Sequence, residues 1–279
     1  MFFRQLHNEL WKLFGKKRTY IGFFMFLLSQ NVIALVFRFT QASRPMQRLL
    51  ETSGHIAEPF ISVLTVATIM LVPVAAFLLP LYVALIGGDL VAKEAEDGTL
   101  RMILSRPVSR LRLLLVKWVT GGLFAALLVA SLGAFGLGFS RFYFPWGGLF
   151  VWMPAAEIFG VFDAGTGLLR YLGGHLMLVP EAVSILTLAL MFSCFNVKPA
   201  AATVLALSCV FVSFILENIP YFREYQNWFF THHLHLWQWM FAEKIPWWRI
   251  GQSLSLLAGF NATFLAVGIA AFHVRDIKS

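Results

Sequence analysis

Charge is scarce in this chain: only 13% of its residues are Asp, Glu, Lys or Arg, about half the share found in an ordinary soluble domain. With 59% hydrophobic residues and a mean hydropathy of +0.74, that scarcity excludes a water-soluble fold and implies a polytopic membrane protein. Cysteine is nearly absent. Cys194 and Cys209 fall in neighbouring apolar runs at different depths, so neither a disulfide framework nor a metal site follows from them. The chain contains no G-x-x-x-x-G-K-[ST] loop to cradle nucleotide phosphates, no G-x-S-x-G and no H-E-x-x-H, so it receives no catalytic residues and no bound cofactor. No linker or low-complexity tract divides it, and residues 1–279 read as a single membrane domain.

What is present is apolar length. Runs at 19–37, 60–87, 113–139, within 168–195, at 200–216 and at 249–272 are long enough to cross a bilayer, which takes roughly 20 residues as a helix. Six crossings return both termini to one side. That side holds 14 of the 22 Lys and Arg residues, so the positive-inside rule makes both termini cytoplasmic in a multi-pass protein of the cell (inner or plasma) membrane. The net charge of +8 is thereby explained by orientation, and nucleic acid is not expected as a partner. Ahead of the first run, in residues 1–18, Phe3, Leu6, Leu10, Leu13 and Phe14 recur at helical spacing against Arg4, His7, Asn8 and Lys12. This is the pattern of an interfacial helix lying among lipid headgroups, and its interleaved charges are unlike a cleavable signal.

Polar residues inside the runs mark candidate path or packing positions. Ser29, Gln30 and Asn31 either line a path or hydrogen-bond between packed helices. Pro73 and Pro80 predict a bend in the second span, and five glycines between 121 and 138 predict close packing of the third. Residues 141–167 read as a surface loop with a partly embedded helix, its Trp146 and Trp152 at the far interface. The fourth span has an ambiguous start. Pro180-Glu181 can open a helix at the outer rim, with 168–179 a shallow segment before it; alternatively Glu181 is an intramembrane carboxylate that handles protons or cations, with Arg170 or His175 as partners.

His232, His233 and His235 are three imidazoles within four residues, but adjacent ones diverge on a helix and no metal site is assigned. They lie in 218–248, a segment dense in aromatics whose Arg223, Glu224, Glu243 and Lys244 prevent deep insertion. It reads as an outer re-entrant or interfacial segment. Trp228 and Trp239 are candidates for a lid, joining Glu181, Gln30 and Asn31 as path or gate residues.

The one long charged interruption between two apolar runs is 88–117. Its bases alternate with Asp89, Glu94, Glu96 and Asp97, a mixed surface suited to a protein partner. Asp97-Gly98 signals a turn, Thr99 can cap a short helix over 100–105, Pro107 ends it, and Ser109 can cap the next helix. A short crossbar between two membrane helices results.

The order Glu94, Glu96, Gly98-Thr99-Leu100, Ile103-Leu104-Ser105, Pro107, Ser109-Arg110 and Lys117 resembles the membrane subunits of ABC transporters, specifically the ABC-type-two permease family of exporters. The ending Phe272-His273-Val274-Arg275-Asp276-Ile277 extends the likeness weakly. The resemblance implies an all-α fold of six transmembrane helices with an N-terminal interfacial helix, a cytoplasmic coupling helix, and interfacial helices between spans five and six. It also implies a permease subunit exporting an unknown substrate, with ATP and Mg bound by a separate cytoplasmic ABC ATPase subunit and a second permease copy or paralogue completing a dimer. Glu94, Glu96, Gly98, Thr99, Leu100, Arg101 and Arg110 would then couple it to the ATPase. The competing reading is an intramembrane enzyme or secondary transporter centred on Glu181.

Overall fold

The computed structural model describes residues 2–105 and 109–275, the Arg223 side chain excepted; the stop expected at Pro107 and the family-like ending through Asp276-Ile277 lie outside the described residues. It is an all-α polytopic membrane protein. Helix α1 (Phe2–Phe14) precedes α2 (Thr19–Phe39), a short α3 (Arg44–Thr52) follows, and α4 (Val63–Pro73) runs through a π-helical turn, Val74–Leu78, into α5 (Leu79–Glu96). The crossbar is α6 (Thr99–Leu104), followed by α7 (Arg110–Tyr143), a hairpin of β1 (Leu149–Met153) and β2 (Ile158–Phe162), α8 (Ala164–Cys194), α9 (Pro199–Asn218) and α10 (Trp247–Val274). Among the described residues, six helices are long and apolar enough to cross a membrane: α2, α4 continued as α5, α7, α8, α9 and α10.

The spans divide into a core and a periphery. The second, third and fourth have more than half of their most apolar stretch buried in the chain, whereas α2, α9 and α10 leave most of theirs uncovered. Small residues set the centre. An added Cβ at Gly87 would lie 2.6 Å from the Leu186 carbonyl oxygen, and one at Gly121 would lie 2.8 Å from a Leu186 methyl, so α5 and α7 close on α8 at glycine. Polar side chains stitch the spans: Gln30 Nε2 donates to the Leu132 carbonyl at 3.0 Å, Tyr171 Oη to the Gly133 carbonyl at 3.0 Å, and Asn261 Nδ2 to Ser184 Oγ at 2.8 Å.

Several expectations need correction. The second span reaches Glu96, so Asp89 and Glu94 stand on the end of a long helix and not in a loop, while the third begins at Arg110 and carries Lys117 on the helix that Ser109 opens, as expected. The bend is carried by the π turn between Pro73 and Pro80, where the missing proline N–H groups disturb the α register. Residues 141–167 form an antiparallel hairpin in place of an embedded helix; the aromatic and β-branched Leu149–Met153 pairs with Ile158–Phe162. Gly148 and the start of α4 hold it, Ser62 Oγ donating to the Gly148 carbonyl at 2.5 Å and the Phe150 N–H to Thr65 Oγ1 at 2.9 Å.

The fourth span is one helix from Ala164, opened by Asp163, whose carboxylate accepts from the N–H groups of Gly165 and Thr166 at 2.9 and 3.1 Å. Pro180 lies inside it, so Glu181 is a mid-helix residue and not a first-turn acid. Between α9 and α10 the chain forms two 3₁₀ helices, Pro220–Trp228 and Phe230–Phe241, the second burying Leu234, Trp237 and Phe241 against the bundle.

Glycine at the α5–α8 contact is required by space, which gives a paired expectation. Gly87→Ala lowers stability by about 1–3 kcal/mol through overpacking. At Gly122 the nearest atom to an added Cβ is Val183 Cγ2, at 4.0 Å. Gly122→Ala therefore leaves stability unchanged or raises it by up to about 1 kcal/mol. Steric-trapping unfolding in bicelles reads both.

Candidate functional site

At the α6 end of the bundle three helices meet around a buried cation. Lys117, on the first turns of α7 and 1% exposed, places Nζ 2.7 Å from Glu94 Oε1 of α5 and 3.0 Å from Glu9 Oε2 of α1. Lys12 of α1 is also hydrogen-bonded to Glu94 Oε1 and lies 3.7 Å from Glu9. Beside this cluster Arg18 Nη2 pairs with Asp89 Oδ2 at 2.8 Å, and burial, then the neighbouring Arg18 charge, hold the Lys16 ammonium below the usual lysine range. Beneath it lies an aromatic floor. Phe124 of α7 takes Phe14, Phe23 and Tyr82 with ring centroids 5.8–6.1 Å away, and the Tyr82 hydroxyl donates to the Arg18 and Thr19 carbonyls. The interfacial helix is thus bound to the bundle through charge as well as through lipid-facing pattern.

From this base α6 projects. Gly98 takes φ 72°, a left-handed conformation that lets the chain reverse after Glu96, and it occupies the N-cap position expected for Thr99. Thr99 is instead the first helical residue, its hydroxyl turned back to the Glu94 carbonyl at 3.3 Å. Leu100 is buried and roots the helix, while Glu96, Arg101 and Met102 are exposed. Lys93 braces the turn with Glu96 at 2.6 Å and Asp97 at 3.1 Å. A groove of about 450 Å³ runs between α1 and α6, with Gln5, Asn8, Met102 and Ile103 on its walls.

The expected coupling residues therefore separate into two groups. Glu96, Gly98, Thr99 and Arg101 stand at the tip, whereas Glu94 and Leu100 are buried supports. Arg110 also works within the chain, donating to the Phe272, His273 and Arg275 carbonyls at 2.8, 3.0 and 3.1 Å and so closing the last turn of α10. Ser109 caps α7 as expected, accepting from the Arg112 N–H at 3.3 Å. Sequence reasoning missed Glu9, Met102 and the role of Lys117; the signal for Lys117 was a lone cation at the head of an apolar run.

The opposite end holds an open vestibule of about 590 Å³ beneath the 3₁₀ segment, lined by Glu217, Asn218, the three histidines, Trp239 and Arg249. His232 Nδ1 lies 3.0 Å from Glu217 Oε1, His233 contacts Ser253 Oγ and the Asn227 carbonyl, and His235 Nδ1 faces the Thr231 carbonyl. Arg249 stacks over Trp239 at 5.2 Å, so Trp239 belongs to the vestibule, while Trp228 is 81% exposed and does not line it. Deeper, Glu181 is 4% exposed, its Oε2 without a hydrogen-bond partner. The suggested partners bond elsewhere: Arg170 donates to the Met240 and Glu243 carbonyls, and His175 Nδ1 contacts the Tyr171 carbonyl. Gln30 is buried between α2 and α7, and Asn31 is half-buried beside it.

The described residues thus form a multi-pass helical bundle with a short, partly exposed helix between two of its spans. A model of the ABC-2 family transporter proteins matches residues 11–234, from α1 into the second 3₁₀ helix, and the chain belongs to that family. No curated protein matches the chain in sequence.

Two expectations follow from the site. Lys117→Met leaves the Glu94 and Glu9 carboxylates facing each other with less compensation and costs about 3–5 kcal/mol, as removal of one buried partner does. Lys93→Met, at the exposed turn, leaves the same unfolding measurement nearly unchanged, as loss of a solvent-screened surface ion pair does.

Burial pushes the His233 and His235 imidazoles below the usual histidine range. The unfolded segment then binds more protons than the folded one, so stability is full above about pH 6.5 and falls as pH drops through the unfolded pKa. Hydrogen exchange across 230–241 is correspondingly faster at pH 5 than at pH 7.5, and His233→Gln/His235→Gln reduces the difference.

Proposed function

We propose that the chain is the permease subunit of an ABC exporter, driven by ATP hydrolysed with Mg in a separate cytoplasmic ATPase subunit. The single observation that carries this reading is α6: a short helix with a buried root and exposed tip, packed against the end of the second span. The charged cluster makes it rigid. Closure of an ATPase pair would push on Glu96, Arg101 and Met102, and the Lys117–Glu94 contact would pass that push to α5 and α7 together. The groove between α1 and α6 supplies apolar and amide surface for the partner.

In this reading both termini and α6 are cytoplasmic, as the excess of Lys and Arg on that side supports. The sparsely covered faces of α2, α9 and α10 meet lipid or a second permease copy, and the path runs toward the vestibule under the 3₁₀ segment. Transport by the chain alone through Glu181 is a second reading, supported by that carboxyl's burial without a partner. ATP dependence of transport separates the two.

The coupling assignment is tested at the tip. Glu96→Lys and Met102→Asp each weaken ATPase-subunit binding at least about tenfold, about 1.4 kcal/mol, with the permease's own melting temperature unchanged. Binding is measured by titrating the labelled ATPase subunit onto nanodisc-held permease. Normal affinity and normal stimulated ATPase activity in both variants would remove α6 from the coupling.

A further inference from the structure

Glu181 lines a cavity of about 90 Å³ together with Ala75, Ala76, Phe77, Phe211 and His235. We propose that this cavity is a binding site for a primary ammonium group on a short alkyl stem, with the Glu181 carboxylate as its counter-charge. The argument is a census of donors and acceptors. Glu181 Oε2 has no partner and, ionised, can only accept. Ala75 and Ala76 lie in the π turn, where the Leu79 N–H bonds to the Val74 carbonyl. The next residue is Pro80, which has no N–H, so one carbonyl of the Ala75–Ala76 pair is deprived of its helical donor.

His235 Nδ1 lies 3.2 Å from the Thr231 carbonyl, which can only accept, so the proton of the neutral ring is on Nδ1 and Nε2 is a bare acceptor. The remaining hydroxyl at the wall, Thr231 Oγ1, already donates to Glu217 Oε2 at 2.8 Å. Among the described residues lining the cavity there is no Lys or Arg. A site furnished with acceptors and one buried acid is complementary to a cation that carries N–H groups, because a buried acceptor left bare is costly. Aromatic faces at Phe77 and Phe211 suit the same cation.

Volume sets the size of the guest. At about 30 Å³ for each small group the cavity takes about three non-hydrogen atoms, the scale of methylammonium or ethylammonium. Access is from the vestibule, since Phe214 and His235 line both spaces. The charged and titratable groups on that approach are Glu217, His232, His233 and Arg249. Glu217 is held by Thr231 and His232, which leaves Glu181 the carboxyl free to receive a guest.

The test uses the purified chain in phosphatidylcholine nanodiscs without ATP, so that its failure leaves the coupling assignment untouched. Radiolabelled methylammonium is expected to bind saturably, one per chain, at pH 7.5. Ethylammonium competes, and tetramethylammonium, which has no N–H, does not. Glu181→Gln lowers affinity at least 100-fold while keeping the melting temperature of the parent, and Glu217→Gln changes it less than threefold. Nanodiscs containing phosphatidylethanolamine separate a lipid source of the ammonium from a soluble one: competition by that lipid assigns the site to headgroups, and its absence to free amines. No saturable binding, equal competition by tetramethylammonium, or undiminished binding in Glu181→Gln overturns the proposal.

Discussion

Burial of the Lys117 ammonium decides how this molecule is put together. A cation removed from water is tolerated only when carboxylates approach closely and take up its hydrogen bonds. Here those carboxylates come from two other helices, Glu94 at 2.7 Å and Glu9 at 3.0 Å, so one desolvated charge fixes the relative positions of α1, α5 and α7. Lys12 bonds to the same Glu94 oxygen, Oε1, and leaves Oε2 without a hydrogen-bond partner. Directional contacts of this kind matter more in a bilayer than in water, because apolar faces gain little by leaving lipid for one another and therefore specify little.

The position of that cluster, at the end of α5, gives the six-residue helix that follows a fixed base. Alone, α6 is too short to be stable. Its shape is imposed by Gly98 on one side, while Leu100 anchors it in the same core. The exposed tip carries residues of different chemistry, Glu96, Arg101 and Met102. Arg110, at the start of α7, ties the end of α10 to the same frame through three carbonyls.

The opposite end is built on a different rule. There the chain is not continuous α-helix: the second span passes through a π turn, and the connection from α9 to α10 is 3₁₀. Irregular backbone in a membrane protein is tolerated where protein covers it or where it lines a cavity, and both cavities at that end adjoin these segments. Pro80 and Glu181 are 101 residues apart in the chain, and their meeting at one cavity makes a local break in α5 into a chemically furnished site.

The number of spans, their order, the place of the crossbar and the Ser109 cap were legible in the sequence, because apolar length, charge and turn residues act over a few neighbouring positions. The Asp163 cap of α8 went unread because Pro180-Glu181 looked like a helix start; within a long span, neighbouring helices compensate for an internal proline, and local signals cannot show that. Pairing could not be read in the same way. Lys117 bonds to Glu9 across 108 positions and Lys12 to Glu94 across 82, and no periodicity reports such partners. The hairpin at 149–162 escaped notice because five-residue aromatic strands resemble an interfacial loop until Thr65 and Ser62 receive them. Glu94 looked like a docking residue and Glu181 like a helix opener because exposure is not a property of a residue. It is set by what the rest of the chain brings against it, and only the tertiary structure decides that.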